Sequence, residues 1–347
     1  MSPRERFLAA CRWEKVDVTP VWFMRQAGRF LPGYREIREK YSIIELCKNP
    51  QACEQVTLMP VKELGVDAAI IFADIMLPLE GIGVDFRIEE NIGPVMGKPI
   101  QKREDVDHLH SFDPKRDTPF TLEAISRVES KLRESNSALI GFSGAPFTIA
   151  SYLIEGKASR DFTKTKKMMF DDTETWNTLM SRLADMISDY LCAQVEAGVD
   201  AVQLFDSWVG ALSAADYEKY IAPFVHKIFS RVKRESPDSP AIHFGTNTGH
   251  LLKSMNNAGG DVLSIDWRTP ISTARQILGK SVAIQGNLDP TVLLSDDNGF
   301  LKNRTQGVLD DNDGKLGHIF NLGHGILPNT PVENARFVVN YVHENSW

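Results

Sequence analysis

TETWNTLMSRLADMISDYLCAQVEA (173–197), AVQLFD (201–206), ADYEKYIAPFVHKIFSRVKR (215–234) and AIHFGT (241–246) follow one another with short breaks. The first and third carry apolar residues at the spacing of an amphipathic helix, whereas the second and fourth are short, β-rich and largely apolar. Strands alternating with helices imply parallel pairing, with the helices as crossovers. The alternation extends in both directions. Similar runs occur at 19–24 (TPVWFM), 67–73 (DAAIIFA) and 138–143 (ALIGFS) before this stretch, and at 262–266 (VLSID), 282–286 (VAIQG) and 318–323 (HIFNLG) after it. Eight such units predict an α/β fold of the single (β/α)8 TIM-barrel type, with the active site at the C-terminal ends of the strands. A doubly wound open sheet is the competitor, but no Gly-x-Gly-x-x-Gly follows the first run.

Residues 83–105 (GVDFRIEENIGPVMGKPIQKRED) break the alternation and read as a hairpin-like excursion inserted after the second strand. There is no internal repeat, low-complexity tract or linker, so residues 1–347 are expected to form a single domain with a short N-terminal extension. The polar segment 155–165 (EGKASRDFTKT) fits either a mobile lid or an ordinary surface connection.

Forty-two per cent apolar and 24% charged residues suit a water-soluble globular chain with a large core. A net charge of -7 argues against general nucleic-acid affinity. Residues 1–40 nevertheless hold nine Lys/Arg against five Asp/Glu, a local cationic patch that suits a specific anionic ligand. Cys11, Cys47, Cys53 and Cys192 form no CxxC pair and fit reduced cytosolic thiols. Met1-Ser-Pro-Arg-Glu-Arg lacks the apolar core of a secretory signal, and no run is long enough to span a membrane, so a cytoplasmic location is expected.

The first β-rich run leads into Arg25-Gln-Ala-Gly-Arg29-Phe-Leu-Pro-Gly-Tyr-Arg35, a loop broken by Gly28, Pro32 and Gly33. Arginines on such a loop suit bidentate capture of carboxylate or phosphate, although a solvated charged loop is the plain alternative. Just past the other runs stand Asp74, Ser143 with Tyr152 further on, Asp206-Ser207, Thr246-Asn247, Asp266, Gln285-Gly-Asn287 and His324. Asp74, Asp206 or Ser207 could each simply cap a helix. Asp266 and Asn287 are expected to tie neighbouring loops. His324 lies between two glycines, a better place for contacting a ligand than a helix face. There is no HExxH, no GxxxxGK[ST] and no His/Cys cluster.

Six of these segments resemble the uroporphyrinogen decarboxylase family. They are Arg25–Arg35, Phe72-Ala-Asp74-Ile, Gly141-Phe-Ser-Gly-Ala-Pro-Phe-Thr148 leading to Tyr152, Gln203-Leu-Phe-Asp-Ser207, Gln285-Gly-Asn-Leu-Asp-Pro290 and Asn321-Leu-Gly-His-Gly325. The likeness runs from about Arg6 to the last helix. It implies a (β/α)8 enzyme, usually a homodimer, with neither metal nor organic cofactor. The implied reaction converts uroporphyrinogen III to coproporphyrinogen III in haem and related tetrapyrrole synthesis. It also implies that Arg25 and Arg29 bind substrate carboxylates, that Tyr152, Ser207 and His324 add hydrogen bonds, and that Asp74 accepts from the pyrrole N–H groups.

Losing CO2 from an acetate leaves an electron pair that needs a sink, and cofactors often provide it. A pyrrole protonated on carbon can serve instead, and a carboxylate beside its N–H groups would stabilise the charge that develops. Asp74 is thus the principal catalytic candidate. Arg25, Arg29 and His324 are candidate proton donors, His324 being the easier acid by ordinary pKa, and Phe205 is a candidate for desolvating the departing carboxylate. An arginine clamped on the reacting carboxylate would stabilise the ground state, so at least one should hold non-reacting groups. Two rival readings are a zinc-dependent corrinoid:thiol methyltransferase on the same barrel and a non-enzymatic tetrapyrrole carrier. The first lacks a cysteine after His243, and the second has no need of Asp74.

Overall fold

Three strands of the main sheet begin in the same way. Gly65-Val66-Asp67, Gly198-Val199-Asp200 and Gly259-Gly260-Asp261 turn the chain upward, and each acid takes a backbone N–H of the neighbouring strand run: Val21 (2.7 Å), Leu139 (2.9 Å) and Ala241 (2.9 Å). The computed structural model describes residues 1–89, 92–279 and 282–346. Seven strands lie in one curled parallel sheet among the described residues: β1 (Ala68–Ile70), β4 (Ala138–Gly144), β5 (Ala201–Asp206), β6 (Ala241–Gly245), β7 (Val262–Ser264), β8 (Ala283–Gln285) and β9 (His318–Ile319), in that order. Ile140 lies opposite Ala201, Phe205 opposite Phe244, and Ser264 opposite Gln285.

The first predicted run does not become a strand. Pro20 has no N–H to give. Val21 N–H goes to the Asp67 carboxylate, Phe23 N–H to Gln26 Oε1 (2.9 Å) and Met24 N–H to Asn321 Oδ1 (3.1 Å). Side chains thus claim donors that a strand ladder would have used. What remains is a single parallel bridge between Val21 and Phe320, and a bond from Asp67 N–H to Val21 O (2.8 Å).

Side chains alternate along the strands. Leu139, Val202, Leu204 and His243 face the surrounding helices, while Ile140, Ala201, Ile242 and Phe244 face inward. A buried polar layer crosses the interior: Trp22 Nε1–H donates to Gln285 Oε1 (2.9 Å), and the Gln285 amide donates to Gln203 Oε1 (3.0 Å) and Ser264 Oγ (2.9 Å). The Gln285 amide is fully used there, whereas the Gln203 Nε2–H group is buried without a partner.

The excursion is a hairpin of β2 (Phe86–Glu89) and β3 (Gly93–Met96), paired from Phe86–Met96 to Glu89–Gly93, and residues 90 and 91 of the predicted segment lie outside the described residues. Met96 N–H bonds Gly156 O (2.8 Å) and Ile100 N–H bonds Leu153 O (2.8 Å), which docks the excursion on the helix Pro146–Glu155. Segment 155–165 is tethered rather than free. Glu155 Oε1 accepts from both Thr165 N–H (2.9 Å) and Thr165 Oγ1 (3.0 Å), and Phe162 is buried against Phe147.

Candidate active site

Gln26 sets the arginine loop. Fully buried, it takes Phe23 N–H and donates to Ala68 O (2.9 Å), and Arg25 before it and Arg29 beyond it are exposed. Arg25 adopts a left-handed backbone (φ 61°), unusual for a residue with a side chain. A Cβ on Gly28 would stand 2.7 Å from Arg25 O, so only glycine fits beneath that turn. The Arg25 stem then runs across Gly325, whose missing side chain leaves room for it.

The cationic patch of residues 1–40 is divided between the two ends of the sheet. Arg4 pairs with Asp200 (2.5 Å), and Arg6 pairs with Asp67 (2.7 Å) and Asp17 (2.7 Å), all at strand starts and away from the mouth. Arg12 donates to Asp238 O (2.9 Å), and Arg38 donates to Tyr41 O. Arg25 and Arg29 are exposed, and among the described residues neither guanidinium has a hydrogen-bonding or ion-pair partner. Arg4, Arg6, Arg12, Arg35 and Arg38 are thus engaged by protein groups, and of the expected patch Arg25 and Arg29 are the cations that this loop presents unpaired.

Asp74 follows β1 and is partly buried. Its Oδ1 accepts from Met76 N–H (2.8 Å), and Leu77 N–H bonds its carbonyl (3.2 Å), so it does brace the turn into the helix Leu77–Gly81. Burial raises its pKa above the ordinary carboxylate value, with the Met76 bond and the nearby Arg25 charge opposing. No carboxylate–guanidinium contact within 4 Å links Asp74 to Arg25.

Arg25 also acts on two other predicted residues. The Tyr152 phenol is pushed up to about 12, chiefly by burial and then by the Asp74 charge, with Arg25 opposing. His324 is lowered to about 4, chiefly by burial and then by Arg25. Its Nδ1 accepts from Gly325 N–H (2.6 Å), which leaves Nε2 to carry the proton of a neutral ring. At neutral pH His324 is therefore a hydrogen-bond donor through Nε2–H. The expectation that it is the easier acid is corrected, because burial and Arg25 both disfavour the imidazolium.

Phe205, the penultimate residue of β5, has its ring edge-on to Phe142 (5.4 Å) and to Phe244 (5.4 Å), and Phe244 in turn meets His324 (6.1 Å). These rings form an apolar floor beneath the polar groups. Gln194 fixes one end of it by taking Phe142 N–H (2.8 Å) and donating to Phe142 O (2.9 Å). Phe142 and Phe244 were not among the predicted residues. The signal was present in Gly-Phe142-Ser, Leu-Phe205-Asp and His-Phe244-Gly, where a Phe stands just before the run ends. Trp208 was also missed, and its ring lies 4.1 Å from that of Tyr152. Ser207 is partly exposed next to it, and its carbonyl accepts from Thr246 Oγ1 (2.5 Å).

Other residues have structural roles. Asp266 accepts from Asn247 N–H and pairs with Arg268 (2.9 Å), and the Asn287 amide donates to Asp266 O (3.0 Å) and Thr269 O (2.6 Å), tying neighbouring loops as expected. His243 faces outward against Phe229 (5.2 Å), away from the mouth, with neither ring nitrogen bonded. A zinc ligand at the mouth cannot come from it. Among the described residues no three His, Cys, Asp or Glu side chains cluster closely enough to hold a metal ion. No helix among them is long and apolar enough to cross a membrane.

Comparison with known proteins gives a consistent picture. A family profile described as uroporphyrinogen decarboxylase (URO-D) matches residues 2–345. A uroporphyrinogen decarboxylase of Sorangium cellulosum is 48% identical over 339 residues, covering 98% of this chain and 96% of its own. One from Thermus thermophilus is 49% identical over 337 residues, 97% of each chain. Among solved structures, a methyltransferase from Methanosarcina mazei is similar at TM-score 0.78 over 99% of both chains with 21% identity, a likeness of fold.

Proposed function

The chain belongs to the uroporphyrinogen decarboxylase family, and from that membership and the geometry of the mouth we propose that it converts uroporphyrinogen III to coproporphyrinogen III by removing CO2 from the four acetate side chains. The observation that carries the mechanism is Asp74, a partly buried carboxylate braced by one N–H and unpaired with the arginine beside it. Such an acceptor suits the inward pyrrole N–H groups of a porphyrinogen.

Protonation of a pyrrole ring carbon gives a cation delocalised onto nitrogen, and the Asp74 carboxylate stabilises it through the N–H. The bond from the acetate methylene to the carboxylate carbon then breaks, and its electron pair enters the ring. The resulting exocyclic methylene takes up a proton to become methyl, and the ring carbon returns its proton. Each cycle thus exchanges one CO2 for one proton. Arg25 and Arg29 hold carboxylates that are not reacting, Tyr152, Ser207 and His324 Nε2–H donate to others, and Phe205 presents an apolar face to the departing group.

The same reading takes the whole chain as one (β/α)8 domain, with residues 20–24 closing the sheet between β1 and β9; the Val21–Phe320 bridge and the Asp67–Val21 bond support closure. It further takes the enzyme as a cytoplasmic homodimer, to which four free cysteines lend support on the side of location. Anaerobic incubation with reduced uroporphyrinogen, followed by mass analysis, tests the activity. Four successive losses of CO2 are expected. Substrate of unchanged mass refutes the reading, and tight binding without mass change would favour a carrier.

A further inference from the structure

We infer that Asp206 is the positioning residue that locks Tyr152, Trp208 and Ser207 together along one edge of the mouth, a role that rests on the decarboxylase reading above. Asp206 ends β5 and is wholly buried. The sequence suggested a helix cap, but no backbone N–H of the following helix reaches it. Its one hydrogen bond among the described residues comes from Thr148 Oγ1–H to Oδ1 (3.0 Å), while Oδ2 has none. An uncompensated buried carboxyl is costly, and an aliphatic residue would pack there without that cost. The residue is explained by what its single bond organises.

Thr148 lies in the first turn of the helix Pro146–Glu155, and Tyr152 follows it by one helical turn on the same face. Thr148 Oγ1, having donated to Asp206, accepts from Trp208 N–H (3.4 Å). The Trp208 ring lies against Tyr152 at 4.1 Å, with Phe162 on it at 5.2 Å. The path therefore closes on itself: the Asp206 carboxyl, the Thr148 hydroxyl, one helical turn, the Tyr152 ring, the Trp208 ring and two residues of backbone back to Asp206. Ser207 sits inside that circuit. The bond fixes how far the helix is slid and turned relative to β5, and with it the distance between the Tyr152 and Ser207 hydroxyls.

Only the acceptor oxygen is required for this, so the neutral acid serves. Burial holds the carboxyl largely protonated through mildly acidic pH, up to about 7. No cation faces it. The titratable group that faces it is Tyr217, whose hydroxyl is buried without a partner. Ionisation above neutrality places an unpaired anion beneath Tyr152 and loosens the circuit.

Asp206→Asn keeps the acceptor, whereas Asp206→Leu and Thr148→Val each cut the same bond from opposite sides. With the full-length enzyme and uroporphyrinogen, Asp206→Leu and Thr148→Val should each raise KM about tenfold with a smaller change in kcat. The double variant should be no worse than either alone, since one bond cannot be lost twice. Asp206→Asn should recover kcat/KM to within about threefold of wild type and flatten the alkaline limb of its pH profile. Additive losses, an Asn variant as impaired as Leu, or a Leu variant with wild-type KM would each overturn the inference. Wild-type protein that fails to release CO2 would instead overturn the decarboxylase reading.

Discussion

Gly325→Ala offers a sharp test of how Arg25 is held. A Cβ at position 325 would come within 2.8 Å of Arg25 Cγ and 3.1 Å of Nε, and closer still to Cδ. Ordinary contact begins near 3.4 Å, so the stem must move by about one ångström at its closest atom, and its guanidinium by more, because the displacement grows along the side chain. Arg25 is exposed and can swing away, and Gly325 does not occupy the left-handed region, so folding should be nearly untouched. The loss falls on substrate. A misplaced guanidinium forfeits one charge-assisted hydrogen bond, about 1.5–3 kcal/mol. At about 1.36 kcal/mol per decade that is roughly a 10- to 150-fold fall in kcat/KM. If Arg25 grips non-reacting carboxylates, the fall appears in KM with kcat nearly preserved. Steady-state kinetics under anaerobic conditions, with thermal unfolding alongside, measures both. Gly325→Ala combined with Arg25→Ala should be no worse than Arg25→Ala alone. A Gly325→Ala enzyme with wild-type kcat/KM would refute the argument, as would losses that add.

Three further expectations concern the same mouth. Asp74→Asn retains an acceptor for Met76 N–H but removes the charge, so kcat should fall by about 100-fold or more while product still binds by calorimetry; near-normal kcat would remove Asp74 from the chemistry. Burial raises the Asp74 pKa, so the active anion exists above that raised value and is lost as pH falls through it. The acid limb of kcat/KM should therefore lie above the ordinary carboxylate value of about 4, and a limb at or below that value would contradict the burial argument. Arg29→Ala should flatten the dependence of kcat/KM on salt, and an unchanged slope would show that Arg29 does not attract the polyanion.

Periodicity made most of the fold legible, and the failures have identifiable causes. TPVWFM has the composition of a strand, yet whether a run joins a ladder depends on where its N–H groups go. Asp67, Gln26 and Asn321, all distant in sequence or outside the run, take three of them. The charge count of residues 1–40 was correct, but the count could not reveal that Arg4 and Arg6 serve acids at the far end of the sheet. His324 could be singled out from its place between two glycines, but its protonation state depends on burial and on an arginine about three hundred residues away. A helix cap was the plain alternative for Asp206, but its partner Thr148 lies on the helix Pro146–Glu155 that follows β4, more than fifty residues earlier.

The absence of an ion pair between Arg25 and Asp74 is central to how the site can work. Had the guanidinium reached the carboxylate, the anion would be satisfied before substrate arrived, and a pyrrole cation would have to compete for it. The left-handed turn at Arg25, Gly28 beneath that turn and the space at Gly325 under the stem hold the cation close enough to oppose the burial of Asp74 without quenching its charge. A left-handed arginine costs on the order of 1–3 kcal/mol, and a carboxylate kept with one N–H is itself a poor ground state. On the proposed reading the carboxylate's cost is relieved when a protonated pyrrole meets Asp74, whereas the backbone cost at Arg25 is present in every state. Interactions that strengthen as the cation forms lower the barrier, whereas an Arg25–Asp74 pair would stabilise the empty enzyme alone.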